Sequence, residues 1–316
     1  MRTTRIIDSK ALVPLALLLL AVLVVAGCSS DSSSDASSSS DDSTSSGSCP
    51  DGDTSLSISA SVDQWGDIAE QLAGDCGEVD TVITSSSVDP HDYEPTSSDI
   101  QKMTSAQVAV INGADYDPWA EKALEGSDVT VVDAGTVCGA ETGANPHLWY
   151  DPDCVMKMGA AMSEAYEKAD ESTKSYFENL QKQWTEDMKS YTDAVAATKK
   201  VADGKTYGAT ESVFDYMASA VGMKNETPQG YQNASKNESD PAPGDIQAFK
   251  SALTNNDMDV LIFNTQTEGP VPSQLKETAD SANVPVVDVT ETVPDDASTF
   301  QEWQINQLDS LQQALQ

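Results

Sequence analysis

Short apolar runs alternate with helical stretches in two sets along this chain of 316 residues, and this pattern restricts it to an α/β fold. In the first set we predict strands at Leu56–Ala60, Val79–Ile83, Val108–Ile111 and Val129–Val132, and helices at Trp65–Leu72 and Pro118–Leu124. In the second set we predict strands at Tyr207–Ala209, Val260–Phe263 and Pro285–Val289, and helices at Val213–Val221, Ile246–Leu253 and Phe300–Leu315. The sequence therefore predicts two βα-type lobes.

A single apolar stripe lies between the two sets, and its spacing of three or four residues is typical of one long helix. The stripe consists of Phe177, Leu180, Trp184, Met188, Tyr191 and Val195. Asp203-Gly204 should end this helix. The stripe fits a core helix of one lobe and equally a stiff helix that runs along both lobes. We expect an N-terminal lobe over residues 49–170, a linking helix over 171–203 and a C-terminal lobe over 204–316.

The N-terminus has the pattern of a lipoprotein signal peptide over residues 1–27. Arg2, Arg5 and Lys10 precede the apolar run Ala11–Ala26, and small residues lead to Cys28. The run is short for a membrane span. We therefore expect Cys28 to carry the lipid that anchors the mature chain on the extracytoplasmic face of the cell membrane. The alternatives are an uncleaved anchor helix and an ordinary secretory signal followed by a chance cysteine.

Residues 28–48 are predicted to form a disordered tether behind the lipidated cysteine. Of the 20 residues 29–48, 13 are Ser and 4 are Asp, so this segment has almost no apolar surface to bury. Removing residues 1–27 leaves 14 basic against 51 acidic side chains, a net charge of about −37. A charge of this sign and size repels phosphate backbones and excludes nucleic acid as a partner.

Four cysteines remain in the mature chain, an even number in an exported protein where oxidation is permitted. No C-x-x-C pair occurs among them, which argues against a zinc–thiolate site or a redox motif. We expect two disulfides. Local pairing as Cys49–Cys76 and Cys138–Cys154 is the most economical of the three possible connectivities.

Histidine occurs only twice, in two similar tripeptides: Asp-Pro-His ending at His91 and Asn-Pro-His ending at His147. The proline restricts the backbone before each imidazole, which suits a preorganised metal ligand. Hydrogen-bonded surface or core histidines are the alternative. Two imidazoles leave a metal ion short of ligands, and carboxylates are the most plausible additional donors. Spacing cannot select those carboxylates among the many acids of the chain.

Signatures of several enzyme classes are missing from the sequence. We find no H-E-x-x-H, G-x-S-x-G, G-x-x-x-x-G-K-[ST] or G-x-G-x-x-G motif. We therefore do not expect an enzyme.

Four segments resemble the manganese- and zinc-binding substrate-binding lipoproteins of ABC importers. They are Gln64–Ala69, Asp89–Pro95, Asn112–Asp115 with Trp119, and Asn145–Pro152. The resemblance covers most of residues 49–316. It implies two α/β lobes joined by one long rigid helix, with one metal ion in the cleft between the lobes.

The resemblance also implies a ligand set for that ion. His91 and His147 match the first two ligands of the family, and Glu211 stands where the family has His or Glu. Glu291 matches the last, acidic ligand, for which Asp288 is the other candidate. Glu211 has an alternative explanation, because an acid at a helix N-terminus is stabilised without any ligand. Residues 263–266 lack a Glu that many relatives carry.

Together these features predict a monomeric solute-binding lipoprotein that captures a divalent transition metal and delivers it to an ABC permease and its ATPase. Two imidazoles and two carboxylates form a hard, oxygen-rich shell, which favours manganese, with zinc as the next candidate. Two other functions remain open: a surface adhesion or interaction lipoprotein that retains the fold, and a metallohydrolase with an open coordination position.

Overall fold

The computed structural model describes residues 49–50, 56–85, 93–141, 143–237, 239–267 and 269–316. The predicted signal peptide, the whole predicted tether with Cys28, and the candidate ligand His91 lie outside these residues. Within the described ranges, no helix is both long enough and apolar enough to cross a membrane.

The first sheet has four parallel strands in the order β2-β1-β3-β4. Its strands are β1 (Leu56–Val62), β2 (Gly77–Ile83), β3 (Val108–Ile111) and β4 (Thr130–Asp133). Its helices are α1 (Asp63–Ala73), α2 (Ser97–Ser105), α3 (Pro118–Leu124), α4 (Ala134–Cys138) and α5 (Pro152–Ala169). The central strands β1 and β3 are buried almost throughout, as expected for parallel strands covered on both faces.

A bent helix follows, formed by α6 (Lys174–Asp187) and α7 (Lys189–Ala202). Met188 separates the two segments with φ −64° and ψ −11°, which is closer to a 3₁₀ than to an α conformation. The hydrogen-bond ladder nevertheless continues, because the Met188 N–H donates to the Trp184 carbonyl at 2.8 Å. The predicted helix is therefore confirmed, and the structure adds the bend. The helix ends before Asp203-Gly204, where Gly204 has φ +78°.

The second sheet repeats the strand order of the first as β6-β5-β7-β8, again with parallel pairing. Its strands are β5 (Thr206–Ala209), β6 (Lys224–Asn225), β7 (Val260–Asn264) and β8 (Val286–Val289). Its helices are α8 (Asp215–Ala220), α9 (Gln229–Lys236), α10 (Pro243–Thr254), α11 (Pro270–Ala282) and α12 (Phe300–Ala314). The predicted fold class of two parallel α/β lobes is confirmed. The lobe boundaries at residues 170 and 203 stay a prediction.

One hydrophobic core extends through both halves of the folded part. It includes Trp65 and Trp149 from the first half, Tyr191 from α7, and Val260 and Trp303 from the second half. The seam between the halves is aromatic. The Tyr150 ring lies with its centroid 5.5 Å from that of Phe214 and 5.9 Å from that of Trp303. This shared core holds the two sheets against each other and so positions the cleft between them.

Both predicted disulfides are present in the first half. Cys49 is bonded to Cys76, with 4.9 Å between the Cα atoms, and Cys138 is bonded to Cys154, with 5.3 Å. The second bond connects the end of α4 to the first turn of α5. It closes a loop that contains His147.

Candidate metal centre

Three potential ligands meet between the two sheets: His147, Glu211 and Glu291. One ligand atom from each lies within 4.8 Å of the others. The Nε2 atom of His147 is 3.9 Å from Glu211 Oε1 and 3.7 Å from Glu291 Oε2. His147 comes from the first half, whereas Glu211 follows β5 and Glu291 follows β8. The site therefore lies beyond the carboxyl ends of second-sheet strands, where α/β sheets commonly place ligands.

The imidazole of His147 is held in one orientation. The residue is 2% exposed, and its Nδ1 lies 2.6 Å from Asn145 Oδ1. The orientation of the Asn145 amide is fixed because its Nδ2 donates to the Ser212 carbonyl, which can only accept. Nδ1 is therefore the protonated nitrogen of the neutral ring, and Nε2 faces the two carboxylates with its lone pair.

The backbone on either side of the cluster positions the two acids. Glu211 has an extended conformation two residues after the end of β5 and precedes a 3₁₀ turn at Ser212–Phe214. Glu291 is buried, and its N–H donates to Gln266 Oε1 at 2.7 Å. Asp288, the other candidate for the last ligand, does not belong to this cluster. Its side chain is 54% exposed and pairs with Lys276 at 2.7 Å. Of the two acids considered for the last ligand, the structure thus brings Glu291 to the cluster.

A buried amide that sequence analysis did not single out bridges the two carboxylates. Asn264 Nδ2 donates to Glu211 Oε2 and to Glu291 Oε1, both at 2.8 Å. Thr267 Oγ1 donates to Glu211 Oε2 at 2.5 Å, and the Tyr116 hydroxyl donates to Glu291 Oε2 at 3.1 Å. In the sequence, this position could have been noticed because residues 263–266 lack the Glu that many relatives carry.

The site concentrates negative charge where water is scarce. Burial raises the pKa of the Glu211 carboxyl, and the neighbouring Glu291 charge raises it further. Burial alone would lower the pKa of His147, but Glu291 and Glu211 outweigh it, so that the pKa lies above its ordinary value. Buried carboxylates without a cation are costly. A divalent cation between these groups would offset that cost.

Two of the sequence segments behind the family resemblance support the His147 loop. The Trp65 indole N–H donates to Asn112 Oδ1 at 2.9 Å. Asn112 Nδ2 in turn donates to the Pro146 carbonyl at 2.8 Å, next to His147. Trp65 and Asn112 therefore act by positioning the loop.

Nitrogen and carboxylate oxygen donors in this arrangement suit a divalent transition-metal ion. The described residues supply one imidazole and two carboxylates. The place of His91 as a further ligand stays a prediction.

Proteins of similar sequence have names that refer to metals. The high-affinity zinc uptake system protein ZnuA of Bacillus subtilis (strain 168) is 24% identical over 230 residues, which cover 66% of this chain and 70% of that protein. The manganese-binding lipoprotein MntA of Halalkalibacterium halodurans is 28% identical over 194 residues, which cover 56% of this chain and 61% of that protein.

Solved structures share the fold. The periplasmic zinc-binding protein TroA of Treponema pallidum has a TM-score of 0.69 at 16% identity, over 82% of this chain and 99% of that chain. The laminin-binding protein Lmb of Streptococcus agalactiae, described as having adhesin and metal-transporting activity, has a TM-score of 0.69 at 19% identity. That alignment covers 83% of this chain and 100% of that chain.

The resemblance inferred from the four sequence segments is confirmed at the level of the family. Residues 58–314 match the family described as zinc-uptake complex component A, periplasmic, and the chain therefore belongs to that family.

Proposed function

We propose that this protein captures one divalent transition-metal ion with His91, His147, Glu211 and Glu291 and delivers it to an ABC-type permease and its ATPase. One observation carries the proposal: the Nε2 atom of His147 faces one oxygen of the half-buried Glu211 carboxylate at 3.9 Å and one oxygen of the buried Glu291 carboxylate at 3.7 Å, in the cleft between the halves. Manganese and zinc are the candidate ions. The metal is a reversibly bound cargo, and no reaction is catalysed.

The candidate ligands are divided between the two halves of the molecule, and this division suits a protein that must release its ion. His147 belongs to the first half, and the two acids belong to the second, so a shift between the halves would change the distances that a bound ion requires. A site whose ligands all came from one rigid element would hold its ion through such a shift. The division of ligands thus provides a route for release to a permease.

Attachment to the membrane through Cys28 belongs to the same proposal. The apolar run and the small residues before the cysteine support it, and several relatives are named lipoproteins. Replacing Cys28 with Ala should release the protein from the membrane fraction. If this variant is processed and membrane-bound as before, the lipid anchor is disproved.

Metal analysis of untagged protein purified without chelators tests the metal-binding part of the proposal. We expect one manganese or zinc ion per chain, and added metal should raise the free energy of unfolding by about 2.7 kcal/mol at a hundredfold excess over Kd. Glu291→Gln should weaken binding at least about tenfold. Asp288→Asn is the matched control and should leave binding unchanged, because Asp288 lies at the surface with Lys276.

The same preparation separates the alternatives. Turnover of a hydrolysable substrate that needs the metal would identify a metallohydrolase. Neither stoichiometric metal nor turnover would leave a surface adhesion or interaction role. Stoichiometric, reversible binding without turnover supports transport.

A further inference from the structure

The side chain of Asn264 has a fixed orientation and uses all of its hydrogen-bonding groups. It is 2% exposed, at the end of β7. Its Oδ1 accepts from the Gln266 backbone N–H at 3.1 Å, and because that group can only donate, the amide cannot be flipped. Both hydrogens of Nδ2 therefore face the carboxylates, one toward Glu211 and one toward Glu291.

The hydrogen bonds leave Glu211 with one oxygen for a metal ion. Its Oε2 accepts from Asn264 Nδ2 at 2.8 Å and from Thr267 Oγ1 at 2.5 Å. A carboxylate oxygen has two lone pairs in its plane, and two donors occupy both. Only Oε1 remains, and it is the oxygen that lies 3.9 Å from His147 Nε2.

The two oxygens of Glu291 also have different surroundings. Its Oε1 accepts from Asn264 Nδ2 at 2.8 Å, whereas its Oε2 accepts from the Tyr116 hydroxyl at 3.1 Å and lies 3.7 Å from His147 Nε2. The two carboxylates thus turn one oxygen each toward the imidazole and the other oxygen toward the shared amide. Chelation of an ion by both oxygens of either acid would have to displace or share a bond from Asn264.

We propose that Asn264 is a specificity-determining residue, which limits Glu211 and Glu291 to one metal-facing oxygen each and so tilts the site toward zinc relative to manganese. Zinc is commonly held by four donors in a tetrahedron, whereas manganese favours octahedral, oxygen-rich shells. The inference rests on the proposed function and adds a residue that selects among its candidate ions. The two carboxylate ligands by themselves favour manganese. The small number of carboxylate oxygens that face the ion favours zinc, so the two effects oppose each other.

The neutrality of Asn264 is part of this role. An acid at position 264 would place a third carboxylate at hydrogen-bond distance from two others, and like charges that close disfavour ionisation. Asparagine instead offers two donors without adding charge. It can therefore hold both carboxylates in their ionised, metal-binding form while it occupies one oxygen of each.

Two variants remove hydrogen-bond donors from the carboxylate oxygens that face away from the imidazole, and a third variant serves as a control. Asn264→Ala removes a donor from both acids, and Thr267→Val removes the second donor from Glu211 alone. Thr265→Val is the matched control, because Thr265 Oγ1 donates to the Val289 carbonyl and to neither acid. For each protein we would measure zinc and manganese Kd by chelator competition. X-ray absorption spectroscopy would give the number of nitrogen and oxygen donors around each ion.

We expect wild-type protein to hold zinc with about four donors. Asn264→Ala should shift the ratio of zinc to manganese affinity toward manganese by about tenfold and add an oxygen to the manganese shell. Thr267→Val should shift the ratio in the same direction but less, and Thr265→Val should leave it unchanged. If Asn264→Ala fails to fold, the affinity ratio of Thr267→Val still tests the inference.

The failures can be told apart. If wild-type protein binds either ion stoichiometrically while Asn264→Ala and Thr267→Val leave both the ratio and the donor number unchanged, the role of Asn264 is wrong and the proposed function stands. A shift toward zinc would also overturn the inference. If wild-type protein binds neither ion, the proposed function itself is wrong.

Discussion

The side-chain amide of Asn145 makes one contact with His147 and one with Ser212, the residue that follows Glu211. Its Oδ1 lies 2.6 Å from His147 Nδ1, and its Nδ2 donates to the Ser212 carbonyl at 2.7 Å. The imidazole belongs to the first half of the molecule, and Ser212 belongs to the second. Rotation of the imidazole is therefore coupled to the position of the segment that carries Glu211.

Replacing Asn145 with Ala should weaken zinc and manganese binding together, by about ten- to a hundredfold. The reason is that His147 would lose the partner that fixes its tautomer, and both ions need the same Nε2 lone pair. Chelator competition measures both constants. Asn233→Ala, at an exposed position on α9, should leave them unchanged. Equal Kd values for Asn145→Ala and wild-type protein would contradict the positioning role.

Metal affinity should fall as pH decreases, and the loss should begin at a higher pH than it would with an ordinary imidazole and carboxyl group. The pKa of His147 lies above its ordinary value because Glu291 and Glu211 outweigh burial, and burial raises the pKa of Glu211. Both groups therefore hold protons at a higher pH than free side chains do, and a metal ion must displace them. Each displaced proton costs about tenfold in affinity per pH unit below its pKa. Kd measured from pH 8 to pH 5 tests this, and a flat profile over that range would contradict it.

The repeating pattern of the chain made the sheets predictable, whereas one very short strand and several helices were missed. Seven of the eight strands that the described residues form were predicted, because β-rich apolar runs bounded by turns carry their own signal. The strand β6 was missed, since its two residues are too short for any period. The long helices α5 and α11 were also missed. Both begin with Pro in their first turn, and this start signal is present in the sequence.

The candidate site was predictable only in part, because its acids are close in space and distant along the chain. The rarity of histidine pointed to His147, but no spacing rule connects Glu211 to Glu291, which are 80 positions apart. The family resemblance supplied those two residues. The role of Asn264 depends on which atoms face each other, and this is visible only in the folded protein.

Replacing Glu211 with His should shift the ratio of zinc to manganese affinity further toward zinc. An imidazole is a softer donor than a carboxylate, and zinc accepts nitrogen ligands more readily than manganese does. His147→Ala, by contrast, should weaken both ions strongly. The measurement is the same competition assay. An unchanged ratio in Glu211→His would mean that Glu211 is not a ligand, and the expected preference for manganese would lose its basis.

The disulfide between Cys138 and Cys154 should affect binding as well as stability. It closes the loop that contains Asn145 and His147, whereas the Cys49–Cys76 bond closes a loop without any candidate ligand. Replacing both cysteines of either pair with Ser should lower the free energy of unfolding by about 3 kcal/mol. Only loss of Cys138–Cys154 should also weaken metal binding. Equal Kd values for the two double variants would contradict this distinction.

Asp63 at the start of α1 should destabilise the protein at alkaline pH. Burial raises the pKa of its carboxyl to about 7, although backbone N–H groups of Val293 and Gln64 partly oppose the shift. The folded chain thus keeps a proton that the unfolded chain, with a pKa near 3.8, has already lost. The contribution of this group to stability therefore decreases as pH rises from about 4 to about 7, and above that range its full cost is present.

Asp63→Asn should remove this cost, because the amide keeps an acceptor oxygen for the backbone donors and has no charge to bury. We expect the variant to exceed wild-type protein in free energy of unfolding by on the order of 2 kcal/mol at pH 8 and to match it near pH 4. Denaturant titrations at both pH values measure the difference. Asp75→Asn, at an exposed position in the same half, is the control and should change stability at neither pH. If Asp63→Asn gains no more at pH 8 than at pH 4, the carboxylate is already ionised without cost, and burial is not what governs this residue.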